Sequence, residues 1–76
     1  MTNIKSIAQD CADMFQVGTK VYGETILCIA FDKAKLSSND AMAFEREVWR
    51  LLDQKYNMIE FGNMGLGRMV YLQSLK

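Results

Sequence analysis

The chain has 76 residues, with nine basic residues, nine acidic residues and no histidine. Half of the residues are hydrophobic, which excludes a disordered chain, and the length allows one domain, residues 1–76. A net charge of zero without a basic block argues against a general nucleic-acid binder. The longest apolar run, residues 26–31, is too short to span a bilayer. We therefore expect a soluble, cytoplasmic domain with a thin core.

The first third of the chain predicts a helix followed by a hairpin. Thr2 or Asn3 caps a helix that runs to about Val17, where Gly18 ends it. Residues 19–22 and 25–32 are predicted strands, joined by Gly23 and Glu24 in a type II′ turn. The second of these strands is apolar on both faces, so we expect it to be central in the sheet or covered on both sides.

Residues 37–59 predict the main helix. Ser37 or Ser38 is the expected N-cap, and Asp40 lies three residues after Ser37, as in a capping box. No glycine or proline interrupts the segment. Apolar side chains recur in it at three- and four-residue spacing, which places them on one side of a helix: Phe44, Val48, Leu51, Leu52, Tyr56 and Ile59.

Residues 58–61 and 68–74 predict two more strands, joined by a glycine-rich loop over residues 62–67. The predicted element order is α-β-β-α-β-β. We therefore expect an α+β fold: a small single domain in which a mainly antiparallel sheet of three or four strands carries two helices on one face. The order of strands in the sheet does not follow from the sequence.

Groups able to carry catalysis are scarce. Without histidine, the commonest general base and metal ligand is missing. The acidic clusters lie on predicted outward helix faces, where such residues usually solvate the surface: Asp10 with Asp13, and Glu45 with Glu47 and Asp53. The glycine-rich loop precedes a strand rather than a helix and lacks a Lys-Ser or Lys-Thr pair, so it fits a hairpin better than a phosphate site. We expect no enzyme, no cofactor and no metal site.

The two cysteines are predicted to be buried, reduced thiols. Cys11 falls on the apolar side of the first helix and Cys28 inside the predicted strand of residues 25–32. A disulfide between them is the alternative if that helix packs on that strand. Apolar burial raises the pKa of a thiol, and no histidine is present to activate it, so a nucleophilic role is not expected.

Trp49 is the most informative single residue for binding. With Met42 and Tyr56 it forms a second row on the main helix, about 100° from the centre of the apolar stripe. Either the first helix covers this row within one chain, or a second molecule does. Apolar residues also stand at the tip of the glycine-rich loop, beside an arginine. The predicted partner-binding residues are Met42, Trp49, Tyr56, Met64, Leu66 and Arg68.

These features predict a small protein-binding module that acts as an inhibitor or adaptor by occluding a surface, with a homodimer as a further possibility. The alternative is a small nucleic-acid-binding regulator, if folding gathers its basic side chains: Lys20, Lys33, Lys35 and Arg68. In size, neutrality and lack of catalytic groups the chain resembles the small proteins of bacteriophages and other mobile elements, anti-CRISPR proteins among them. That resemblance implies an inhibitor of a host or defence complex.

Overall fold

The computed structural model describes residues 3–61 and 67–76, which form three helices and a three-stranded antiparallel sheet. The helices are α1 (Ile4–Ala12), α2 (Gly23–Cys28) and α3 (Ser38–Lys55), and a π-helical turn (Ile29–Lys33) continues α2. The strands are β1 (Lys20–Tyr22), β2 (Tyr56–Glu60) and β3 (Met69–Leu75), in the spatial order β1-β3-β2. The predicted α+β class is confirmed, but the predicted element order and the count of two helices are wrong.

The first helix begins where the sequence predicts and ends earlier. The Asn3 side chain accepts a hydrogen bond from the Ser6 N–H at 3.1 Å, so Asn3 is the cap. The helix stops at Ala12, five residues before the predicted end at Val17. Gly18, with φ +90°, lies in the turn before β1, and its N–H donates to the Leu72 carbonyl at 2.8 Å. Through this hydrogen bond the segment after α1 is joined to β3 and does not continue the helix.

The segment of residues 25–32 is helical, and the predicted strand and type II′ turn are wrong. Ile26 and Ala30, four residues apart, are fully buried, whereas Cys28 and Phe31 are exposed. This is the burial pattern of a helix, not the alternation of a strand. A short continuous apolar run fits a buried strand or a buried helix equally well. Here β1 pairs with β3, so it is not the hairpin partner of this segment.

The main helix has the cap and the buried stripe that its sequence predicts. Ser37 Oγ accepts a hydrogen bond from the Asp40 N–H at 3.3 Å. Phe44, Val48 and Leu52 are at most 1% exposed and form the centre of the core. The local pattern of three- and four-residue spacing is therefore sufficient to place this face of α3.

The end of α3 differs from the prediction. The helix stops at Lys55, and Tyr56 has strand geometry, with φ −124° and ψ 149°. Tyr56 and Ile59, predicted on the helix, belong to β2, where they lie opposite Leu75 and Tyr71 of β3. Their spacing continues the helical period, but pairing with β3 requires the chain to become extended here.

The sheet joins distant parts of the chain. The predicted second hairpin is confirmed, since β2 and β3 are antiparallel neighbours, and β1 lies on the other side of β3 with Val21 opposite Val70. Both valines are buried and join the core together with Leu72. Among the described residues, no helix has the length and apolar character needed to cross a bilayer.

Phe44→Ala is expected to lower the free energy of unfolding by about 3–5 kcal/mol, because removing the ring opens a cavity in the core. Urea denaturation measures the loss. Met42→Ala is the matched control on the same helix: Met42 is 61% exposed, so its truncation should change stability by no more than about 0.5 kcal/mol. Similar losses in the two variants would contradict the burial of Phe44.

Candidate binding surface

The two faces of the sheet differ in burial. Val21 of β1 and Val70 of β3 lie opposite each other on one face, 1% and 0% exposed, within the core that the helices share. Side chains alternate along a strand, so the residues that flank these valines point to the other face. Those flanking residues are exposed or half-buried. We call this second side of the sheet the open face.

Three strands contribute to the open face. Tyr71 of β3 stands at its centre, opposite Lys20 of β1 and Ile59 of β2. In the next row Met69 lies opposite Tyr22. The Phe61 N–H donates to the Met69 carbonyl at 2.9 Å, which extends this row past the end of β2. The open face therefore consists of Lys20, Tyr22, Ile59, Phe61, Met69 and Tyr71.

The exposed surface of this face is mainly apolar and aromatic. Tyr22, Ile59 and Phe61 are 41%, 45% and 42% exposed, and Met69 and Tyr71 are half-buried between them. Lys20 is the only charged member. Its Nζ lies 5.4 Å from the centre of the Phe61 ring, in reach of a cation–π interaction. A contiguous apolar patch with one positive charge is typical of an interaction surface.

Two of the predicted contact residues, Trp49 and Arg68, meet on the helix side of the sheet. The Arg68 guanidinium lies 4.7 Å from the centre of the Trp49 ring, and its Nε donates to Glu60 Oε1 at 2.6 Å. Trp49 Nε1 donates to Glu45 Oε2 at 3.3 Å, and the residue is only 8% exposed. The indole is therefore covered within its own chain, and Arg68 rather than the first helix supplies the polar part of that cover.

The surface around this pair is balanced in charge. A shallow depression of about 360 Å³ beside Trp49 is also lined by Arg46, Arg50 and Asp53. Arg50 forms a hydrogen-bonded ion pair with Glu47, and that hydrogen bond lowers the pKa of the Glu47 carboxyl. Arg68 is likewise paired, with Glu60. Two of the three arginines around Trp49 are therefore held in ion pairs.

The predicted row of Met42, Trp49 and Tyr56 does not exist as one surface. Tyr56 lies on β2, is 3% exposed, and donates its hydroxyl hydrogen to the Phe15 carbonyl at 3.0 Å. Met42, on α3, is 61% exposed, whereas Trp49 and Tyr56 are both buried. The change from helix to strand at Tyr56 breaks the seven-residue period on which the row depended. Met64 and Leu66 lie outside the described residues.

The residues of the open face were not among the predicted contacts, although the sequence carried a signal for them. In the predicted strand of residues 68–74, Met69 and Tyr71 alternate with Val70 and Leu72, so both faces are apolar. Helices on one side of a sheet cover only one of two such faces.

Three of the five carboxylates in the predicted acidic clusters have side-chain partners three or four residues away in the sequence. Glu45 bonds to Trp49, Glu47 pairs with Arg50, and Asp13 accepts a hydrogen bond from the Gln9 amide at 2.9 Å. Within residues 3–61 and 67–76, no three histidine, cysteine, aspartate or glutamate side chains cluster closely enough to hold a metal ion.

The two cysteines are free and differ in environment. Cys11 is 3% exposed in a groove of about 210 Å³ between α1, the π-helical turn and α3, and its burial raises the pKa of the thiol to about 11. Cys28 is exposed on α2, so its predicted burial inside a strand is wrong. The helical conformation of residues 23–28 turns this side chain outward.

A thiol reagent at neutral pH is expected to label Cys28 and to leave Cys11 unmodified in the folded protein. Because burial disfavours its thiolate, Cys11 should react only as the pH approaches about 11 or after unfolding in urea. Cys28→Ser is the control, because Cys11 is then the one remaining thiol. This variant should not react with the reagent when folded and should be labelled once in urea. Rapid native labelling of that variant would mean that Cys11 is accessible.

The chain was compared with protein-family models, with curated proteins and with solved structures, and none of the three comparisons finds a match.

Proposed function

We propose that this protein is a small binding module that acts as an inhibitor or adaptor, and that its open face occupies a surface of another protein. The cluster of the exposed Tyr22 and Phe61 and the half-buried Tyr71 around Lys20 is the observation that supports this proposal. Aromatic residues and methionine are enriched in protein interfaces, and charged residues are depleted at their centres. The complementary patch on the partner is apolar, with an acidic group beside Lys20.

The size of the open face limits the affinity that it supplies. Burying the exposed parts of Tyr22, Ile59 and Phe61 removes roughly 250 Å² from water and gives about 6 kcal/mol gross. Association itself costs about 4–15 kcal/mol. The open face alone therefore supports weak binding, and tight binding requires neighbouring contacts. Met64 and Leu66, which follow Phe61 in the chain, remain the predicted source of these contacts. Arg68, the third predicted contact in this part of the sequence, lies on the helix side of the sheet and does not adjoin the open face.

The resemblance to small phage-encoded proteins suggests which class of partner such a binding module would have. A protein of that kind binds a host or defence complex in the cytoplasm and blocks a surface that the complex needs. Such a role uses shape and apolar contact and requires no catalytic group. The partner-binding proposal and this profile therefore agree, and both predict loss of function when the contact surface is made polar.

The double variant Tyr22→Ser, Phe61→Ser tests the open face. Immobilised wild-type protein and the variant are used to capture proteins from a lysate of the source cells, and the captured proteins are identified by mass spectrometry. Phe31→Ser, Met42→Ser is the matched control, because these residues are 45% and 61% exposed but lie outside the sheet. Urea denaturation confirms that all three proteins remain folded.

We expect at least one protein to be retained by the wild type and by the control variant, and to be lost with the open-face variant. Removing two aromatic contacts should weaken that interaction by about 2–4 kcal/mol. Capture of the same proteins by all three, or of none by the wild type, would contradict a partner-binding open face.

One observation favours the second candidate function, a nucleic-acid-binding regulator. Aromatic side chains beside a basic residue on an antiparallel sheet are also used to stack the bases of single-stranded nucleic acids. However, the four basic residues predicted for this role are not gathered. Lys20 lies on the open face, Arg68 covers Trp49 on the helix side, and Lys33 and Lys35 lie in and after the π-helical turn. Protein binding is therefore the better-supported function.

Fluorescence anisotropy with a labelled single-stranded oligonucleotide at low salt tests this second candidate. If it is correct, binding weakens as salt increases, and Tyr71→Ala reduces it by about 1–3 kcal/mol through the loss of one stacked base. Lys20→Ala should lower the slope of the salt dependence by about one. No change in anisotropy at the lowest salt would remove the candidate.

A further inference from the structure

The outer edge of β2 presents backbone groups to its surroundings. β2 is an edge strand of the sheet, so it pairs with β3 along one side only. In an antiparallel pair, successive residues direct their N–H and C=O groups alternately towards and away from the neighbour. The Phe61 N–H bonds to Met69, so Phe61 and Ile59 face β3. Met58 and Glu60 therefore direct their N–H and C=O groups outward.

This edge lacks the features that usually protect an edge strand. Residues 56–60 contain no proline and no lysine, and the extra residue at the irregular register is Gln73 on β3, so β2 itself stays regular. The charge of its one acidic residue, Glu60, is compensated by Arg68. Among the described residues, no backbone or side-chain group bonds to the outward groups of Met58 or Glu60. The opposite edge differs, since β1 has only three residues and passes directly into α2.

We propose that a second copy of this chain pairs antiparallel with β2 along its outer edge, about a two-fold axis at Ile59. In this register Met58 lies opposite Glu60 of the second copy, and Glu60 lies opposite Met58 of the second copy. Each pair exchanges two backbone hydrogen bonds, so four new bonds form. The two three-stranded sheets become one continuous sheet of six strands.

The side chains of β2 suit this arrangement. Ile59 is 45% exposed on the open face and packs against Ile59 of the second copy, in a pair that brings the two strands close together. Glu60 stands beside a methionine, so no like charges lie directly opposite each other. The formal net charge of zero means that two copies do not repel. The two open faces join into one apolar surface of twice the area.

A second copy fits this edge better than an unrelated strand does. The two outward-facing residues flank Ile59 symmetrically, so an antiparallel copy of the same strand is its own complement. Antiparallel pairing of identical edges closes at two chains, because each β2 has one free edge. This inference does not depend on the partner-binding role of the open face, because the pairing uses the backbone edge of β2 and shares only Ile59 with that face.

Sedimentation equilibrium over a wide range of concentrations tests the pairing. We expect the wild type to shift from 8.7 kDa to about 17 kDa as concentration rises. Ile59→Lys should remain monomeric, because it places two lysines together at the two-fold axis. Tyr22→Lys is the matched control: it lies on the same face, 41% exposed, but on the opposite edge strand, and should still dimerise. Circular dichroism confirms that each variant is folded.

Amide hydrogen exchange gives a second readout, independent of any variant. The Met58 and Glu60 amides should become at least tenfold better protected at concentrations where the dimer forms, while the protection of Ile59 changes little. A wild type that stays monomeric at millimolar concentration would overturn the proposal. So would a dimer of Ile59→Lys, or loss of the dimer in Tyr22→Lys, which would indicate that the two sheets stack face to face.

Discussion

The central position of β3, hydrogen-bonded on both sides, is the constraint on which the rest of the structure depends. Val70 and Leu72 of this strand are fully buried and belong to the same core as Phe44 of α3. Because β3 takes β1 as a neighbour, residues 23–33 are free to form helix and pack beside the sheet. Because β3 also takes β2, the chain leaves the helical conformation at Tyr56.

What the sequence predicts correctly is local. The caps at Asn3 and Ser37 each bond to a backbone N–H three residues away, and the stripe of α3 up to Leu52 repeats within one helix. The errors concern segments whose local pattern fits two structures. Residues 26–31 suit a buried strand or a helix, and Tyr56 and Ile59 keep the helical spacing inside a strand. Pairing with β3, which is distant in sequence, decides both cases, and single-sequence periodicity does not contain that information.

The same limit applies to the candidate binding residues. Trp49 stands out in the sequence as a large aromatic residue off the core stripe, but only the fold brings Arg68 over its ring. Arg68 also holds Glu60, so one side chain connects the main helix to the edge strand. The open face, in contrast, follows from simple alternation in β1 and β3 once the course of residues 23–33 is known. Assigning residues 23–33 to a helical conformation is therefore the step that identifies the open face.

β3 follows β1 and β2 in the chain but lies between them in the sheet, and this order has a consequence for biosynthesis. Lys20 and Tyr71 pair although they are about fifty residues apart, so the nascent chain carries β1 for a few seconds before its neighbour is synthesised. Until then neither β1 nor β2 has a strand to bond to, and only helices can form. Formation of the sheet therefore waits until β3 has left the ribosome, and a message cut short before residue 69 yields β1 and β2 without the strand that pairs with both of them.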